Sequence, residues 1–173
     1  MGKEIPRFSK RESGLIIPNN RQITSEGIAA MFGIDLRERV IERLRAFDPL
    51  PDGYELTFFS KGQEHAGSQA LYLLEEHVAE NMVYVSFLSP DSKTSIHKHN
   101  YPLKENYFWL AGASFLRVDG DVRKLRQGQE FITVPSGSIH QLTTRGEASL
   151  ALIVIENAAS VPADKLHISV CYD

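Results

Sequence analysis

Two hydrophobic periodicities divide this chain. From residue 25 to about 47, apolar positions recur every three or four residues; beyond Pro51-Asp52-Gly53 they come in short runs broken by Gly, Pro and Asp. In the first part Ser25 can cap a short helix through about Phe32, with Gly33 as its stop. Asp35 and Glu38 make a capping-box-like start to a second helix. Leu36, Val40, Ile41, Leu44 and Phe47 form its apolar face, and Asp48-Pro49 ends it. The other face carries Arg37, Arg39, Arg43 and Arg45 among Glu38 and Glu42, and reads as solvated. Residues 1–23, with Pro6, Pro18 and Asn19-Asn20, read as an arm with little regular structure.

The second part predicts strands over 54–59, 70–74, 82–88, 95–99, 107–110, 114–118, 130–134, 139–143 and 150–155, with a last one over 167–172 after Val161-Pro162. Asp119-Gly120 is a hairpin turn between 115–118 and 122–125. Short strands at regular spacing indicate an all-β sandwich or barrel. The chain is thus expected to hold an N-terminal helical arm, residues 1–50, and one β-barrel, residues 51–173.

The candidate chemistry sits in the second part. Side chains at i and i+2 leave a strand on the same face, so His97 and His99 can grip one ion while Lys98 points away. Glu105 follows, and His140 closes the run Pro135-Ser136-Gly137-Ser138-Ile139-His140. Three imidazoles and a carboxylate form a ligand set for Fe, Mn, Ni, Co or Zn, and the sequence does not choose among these metals. Strand parity puts Tyr107 and Trp109 on the face of Glu105 as an aromatic wall, so Glu105 and Tyr107 are the candidate catalytic residues. Gly112, Gly128, Pro135 and Gly137 read as turn formers. His65, His77 and His167 read as surface or ordinary core histidines.

Composition narrows the partners. The 173 residues are 42% apolar and 24% charged, which suits a single globular core. A net charge of −3 lacks the basic footprint of a nucleic-acid binder. No apolar run approaches a membrane span, and the N-terminus has no signal-peptide core. The lone Cys171 has no internal disulfide partner, which points to the cytoplasm.

The two motifs together resemble those of the cupin superfamily. His97-x-His99, Glu105 and Gly112 follow the order of its first motif, with one extra residue before the Glu and without the starting Gly. Gly128, Pro135, Gly137 and His140 follow its second motif, where Thr144 replaces the final Asn. The resemblance covers roughly residues 80–157 and implies a double-stranded β-helix, or jelly-roll barrel, with one metal and a small-molecule substrate. The run from Glu105 to His140 is similar to the cupin part of phosphomannose isomerase. That likeness favours a sugar or sugar-phosphate isomerase or epimerase, with Lys98, Arg117 and Arg126 as possible phosphate or carboxylate partners. A non-haem iron dioxygenase and a non-catalytic binding or sensor protein are the alternatives. Residues 28–34 resemble the first half of a helix-turn-helix, but Arg39 and Glu42 occupy positions that its second half would bury. An apolar helix stripe joined to an arm suggests a homodimer.

Overall fold

In the computed structural model, which describes residues 8–10, 16–18, 24–47, 50–99, 103–158, 161–162 and 168–169, helix α1 (Ser25–Phe32) is capped by Thr24 rather than Ser25. The Thr24 hydroxyl accepts the Gly27 amide at 2.9 Å. The Ser25 hydroxyl donates instead to the carbonyl of Phe59, tying the helix start to a neighbouring segment. Gly33 ends α1 in the left-handed conformation, φ 64°. Helix α2 (Leu36–Phe47) starts with the Asp35 carboxylate accepting the Glu38 amide at 3.0 Å. The expected helix stop at Asp48-Pro49 lies outside the described residues, as do Cys171 and His167.

The strands are β1 (Phe8–Lys10), β2 (Ile16–Pro18), β3 (Gln63–Glu64), β4 (Leu71–Val78), β5 (Asn81–Leu88), β6 (His97–Lys98), β7 (Glu105–Gly112), β8 (Ser114–Val118), β9 (Asp121–Leu125), β10 (Phe131–Val134), β11 (His140–Thr143), β12 (Ser149–Ile155) and β13 (Ile168–Ser169). β1 and β2 pair, so part of the N-terminal arm is a ribbon rather than irregular chain. Residues 54–59 form no strand, though the Phe59 amide donates to the Leu73 carbonyl. The expected strand at 95–99 shrinks to two residues, and only two residues of the expected 167–172 strand are described.

The remaining strands make two antiparallel sheets, in the orders β10-β7-β12-β5-β4-β3 and β13-β6-β11-β8-β9. The six-stranded sheet is covered on both faces. Every residue of β5 and β12 is buried, which is why their sequences are continuous apolar runs rather than alternating ones. Inside, Tyr84, Leu88, Tyr107, Ile153 and Ile155 meet Leu116, Leu125 and Leu142 of the smaller sheet. Outside, Val83, Val85, Phe87, Phe108 and Leu110 meet Leu36, Val40 and Leu44 of α2. Each fully buried Leu or Val there contributes about 2 kcal/mol of hydrophobic stabilisation.

The charged face of α2 is not simply solvated. Arg39 donates to the Leu110 carbonyl at 2.6 Å, and its guanidinium lies 5.7 Å from the Trp109 ring centre. Arg43 pairs with Glu130 at 3.2 Å and donates to the Trp109 carbonyl at 3.4 Å. The β7 backbone is bulged at this point, opposite Leu150 and Ala151, and the arginines satisfy carbonyls there. The helix is therefore committed to its own barrel.

Candidate metal centre

The metal-ligand candidates come from both sheets. His97 on β6 is the direct cross-strand partner of His140 on β11, in the smaller sheet. Glu105 opens β7 in the larger sheet, paired with Val134 and Ile155. His99 follows β6 on the same face as His97, while Lys98 is half-buried on the other. One ligand atom from each of His97, His99, Glu105 and His140 lies within 4.8 Å of the other three, and all four residues are buried. The structure thus brings together all four residues singled out in the sequence.

Backbone carbonyls set the imidazole tautomers. His97 Nδ1 donates to the Ser95 carbonyl at 3.0 Å, and His140 Nδ1 donates to the Ser138 carbonyl at 2.9 Å. In each neutral ring this leaves the Nε2 lone pair as the ligand, the arrangement that outer partners impose on metal-binding histidines. Glu105 Oε1 accepts the Tyr107 hydroxyl at 2.9 Å. Glu105 Oε2 lies 2.7 Å from His99 Nε2 and 2.5 Å from His140 Nε2.

The His140 contact is close but not aligned as a hydrogen bond, so its Nε2 is a buried nitrogen set against a carboxylate oxygen. Two lone pairs at that distance repel unless a proton or a cation lies between them. The residues therefore fit a divalent transition metal in donor type, convergence and tautomer.

Electrostatics agree with that arrangement. Burial holds the His97 imidazolium down to about 4, so the ring is neutral near pH 7. Burial alone would raise Glu105, but the His140 and His99 rings outweigh it and hold the carboxyl well below the usual range. Burial opposes a charge on His140 too, yet the neighbouring Glu105 carboxylate raises that ring. Burial and then the Glu105 charge push the Tyr107 phenol well above its ordinary value.

The surrounding wall differs from the expected one. A cavity of about 180 Å³ is lined by His97, Glu105 and Tyr107, and by Tyr72, Tyr84 and His65. Trp109 is not among its lining residues; its indole N–H donates to the Gly112 carbonyl at 2.7 Å, under Arg39. Tyr72 and Tyr84 replace it, with ring centres 5.8 Å apart. Their one sequence signal is a tyrosine at an inward position of a strand, Tyr72 on β4 and Tyr84 on β5. His65, read as an ordinary histidine, has no such signal because it sits in a turn after β3, while His77 is exposed as expected. Arg117 lines a different hollow, near Asp119 and Gly120, and Arg126 is exposed beside Gln129. Thr144, which stands where the motif has Asn, accepts the Ser92 amide at 3.0 Å and donates to the Ser89 carbonyl.

A two-sheet antiparallel jelly roll with both motifs meeting inside it decides the fold. The chain has the cupin fold. No family model matches the sequence, and no curated protein matches it. Among solved structures, it is similar to a Cupin 2 conserved barrel domain protein from Salinispora arenicola, at 18% identity and a TM-score of 0.49 over 62% of this chain and 92% of that one. It is also similar to the DMSP lyase DddQ from Ruegeria pomeroyi, at 23% identity and a TM-score of 0.46 over 62% of this chain and 57% of that one. A third is a predicted oxalate decarboxylase from Thermotoga maritima, at 19% identity and a TM-score of 0.45 over 51% of this chain and 80% of that one. Among the described residues, no helix is long and apolar enough to cross a membrane.

Proposed function

We propose that this cupin is a mononuclear metal-dependent isomerase or epimerase of a small, unphosphorylated hydroxycarbonyl compound. The observation that carries the proposal is the cavity itself. Two of the four clustered residues, His97 and Glu105, line it, and its walls offer the hydroxyls of Ser68, Tyr72, Tyr84, Thr94, Ser95 and Tyr107. Its volume is below the about 300–1,000 Å³ of drug-sized sites, which limits the substrate to a few carbons. No lysine or arginine lines it among the described residues, which favours an unphosphorylated substrate.

A divalent cation held by the four residues would supply Lewis acidity, drawing electron density from a carbonyl oxygen. The chain supplies the rest. Burial, and Glu105 beside it for Tyr107, raise the tyrosine phenols, so they act as neutral hydrogen-bond partners that orient substrate hydroxyls. Tyr107 also fixes Glu105 from its outer oxygen, which makes it a positioning residue for the centre. Barrel walls on both sides limit competing water.

The test is proton NMR in D₂O with small α-hydroxyketones and α-hydroxyaldehydes, using protein loaded with Mn, Co, Ni, Zn or Fe(II). Metal-dependent exchange of the proton beside the carbonyl is expected, at least about 100-fold above metal-free protein, the scale of general base catalysis. No exchange with any metal and any compound would sink the reading.

The proposal includes a homodimer in a reducing, cytoplasmic setting. Phe131 on edge strand β10 and Val122 on edge strand β9 are each about half exposed, the two large apolar side chains in that state among the described residues. Light scattering after gel filtration should give twice the 19.4 kDa chain mass, and Phe131→Glu should lower it. A monomer at micromolar concentration would remove the dimer from the proposal.

A further inference from the structure

Proton transfer beside a carbonyl needs a base that is not already used as a ligand. Glu105 is surrounded by His99, His140 and Tyr107, so it has no free oxygen to offer a substrate. The Tyr107 hydroxyl is committed to Glu105, and the Tyr72 and Tyr84 phenols are raised by burial and hold their protons. Among the described residues lining the cavity, one further side chain carries a ring nitrogen lone pair that can take a proton, and that is His65.

His65 is built into place from three sides. Its Nε2 donates to Glu75 Oε2 at 3.1 Å, with the two side chains 36% and 30% exposed, so the pair stays within reach of solvent protons. Its ring stacks on Tyr72, with centres 4.1 Å apart and planes 21° from parallel. Tyr84 closes the edge at 6.3 Å. The turn that carries His65 is held by the Ser68 amide, which donates to the His65 carbonyl at 3.2 Å. Glu75 itself sits on β4 directly opposite Tyr84 on β5. A surface histidine needs none of this.

We propose that His65, oriented by Glu75, is the general base of this site, so the catalytic base is not Glu105 or Tyr107. This rests on the isomerase reading. The C–H bond beside the carbonyl breaks, and its proton passes to His65 Nδ1, whose lone pair is left available because Nε2 is protonated and bonded to Glu75. The electron pair forms the new C=C bond while the carbonyl electrons move to oxygen, giving an enediolate. Return of the proton to the former carbonyl carbon, with the hydroxyl proton passing to the other enediolate oxygen, gives the isomer; protonation of the original carbon by water on its opposite face, with His65 releasing its proton to solvent, gives the epimer. No oxidant or second substrate is required. Glu75 stabilises the transient imidazolium and is a positioning residue.

The test compares wild type, His65→Gln, His65→Gly and Glu75→Gln in the exchange assay, after each is shown to hold wild-type metal. His65→Gln should lose about 100-fold or more, and imidazole added to His65→Gly should restore part of the rate. Glu75→Gln should lower the rate less than His65→Gln does, since it removes the carboxylate that orients the ring and keeps the base. A readout independent of turnover is the nitrogen-15 spectrum of metal-free protein. His65 should carry its proton on Nε2 in wild type and lose that preference in Glu75→Gln. Exchange kept within twofold by His65→Gln at full metal content overturns the assignment, as does a mixed His65 tautomer in wild type. Absence of exchange in wild type would overturn the isomerase reading and this assignment with it, and only that outcome leaves wild type inactive.

Discussion

Replacing His97 or His140 with alanine is expected to abolish stoichiometric metal binding, but the two variants should differ in stability. Each ring has Nδ1 committed to a backbone carbonyl two residues earlier and offers Nε2 to the cluster. Losing one of four donors should weaken metal binding by more than the 10–100-fold that outer partners of a ligand carry. In the metal-free protein, however, His140 is one of two rings that hold the buried Glu105 carboxylate in its charged form. His140→Ala leaves that charge less compensated, at a cost of about 2 kcal/mol. For a chain of this size that is roughly 4–8 °C in Tm. His97 is held neutral by burial and so compensates the Glu105 charge less, and His97→Ala should melt closer to wild type. Plasma mass spectrometry and thermal melts of metal-free protein would check both statements. Unchanged metal content in both variants would remove these residues as ligands. The metal found in wild type also directs the next assay: iron calls for oxygen-uptake measurements beside the isomerisation assay, since the same four donors suit a dioxygenase.

The second large effect is expected far from any ligand. Gly112→Ala should destabilise the barrel by about 3 kcal/mol or more, a fall in Tm of roughly 6–12 °C. A Cβ built on Gly112 would lie 1.9 Å from the Ala148 carbonyl oxygen and 2.9 Å from its carbon. Those are backbone atoms, and they cannot rotate away as a side chain could. The residue is also at φ 69°, where L side chains are strained. Gly137→Ala is the control: its φ is 76°, but nothing lies within 4 Å of the added carbon. It should cost only the conformational part, about 1 kcal/mol. Equal melting of the two variants would mean that β7 and β12 separate there freely. Gly112 is thus more than a turn former, because it lets two central strands of the six-stranded sheet approach, one of which carries Glu105 and Tyr107.

Much of this protein was legible in its sequence because the relevant physics is local. Apolar residues at helical spacing gave α2, and the Asp119-Gly120 turn gave the hairpin of β8 and β9. Strand parity put His97 and His99 on one face, and motif order brought Glu105 and His140 to them. Each of these depends on a few neighbouring residues and a backbone period.

Tertiary structure decided the rest. The Arg39 and Arg43 side chains read as solvated because nothing near them in sequence shows that a bulged strand some 70 residues away presents carbonyls to them. Parity placed Trp109 on the inward face correctly in sense, but the bulge beside it and the Gly112 carbonyl turned it away from the cavity. Residues 54–59 have the apolar content of a strand yet pack as extended chain between the helices and the sheet. The His65 and Glu75 pair, and the wall of Tyr72 and Tyr84, come from a turn and two strands that no local pattern links. The sequence alone determined which side chains can bind a metal, since donor chemistry and strand period are written in it. Only the folded barrel decided what surrounds them, because a cavity wall is set by register and packing between distant strands.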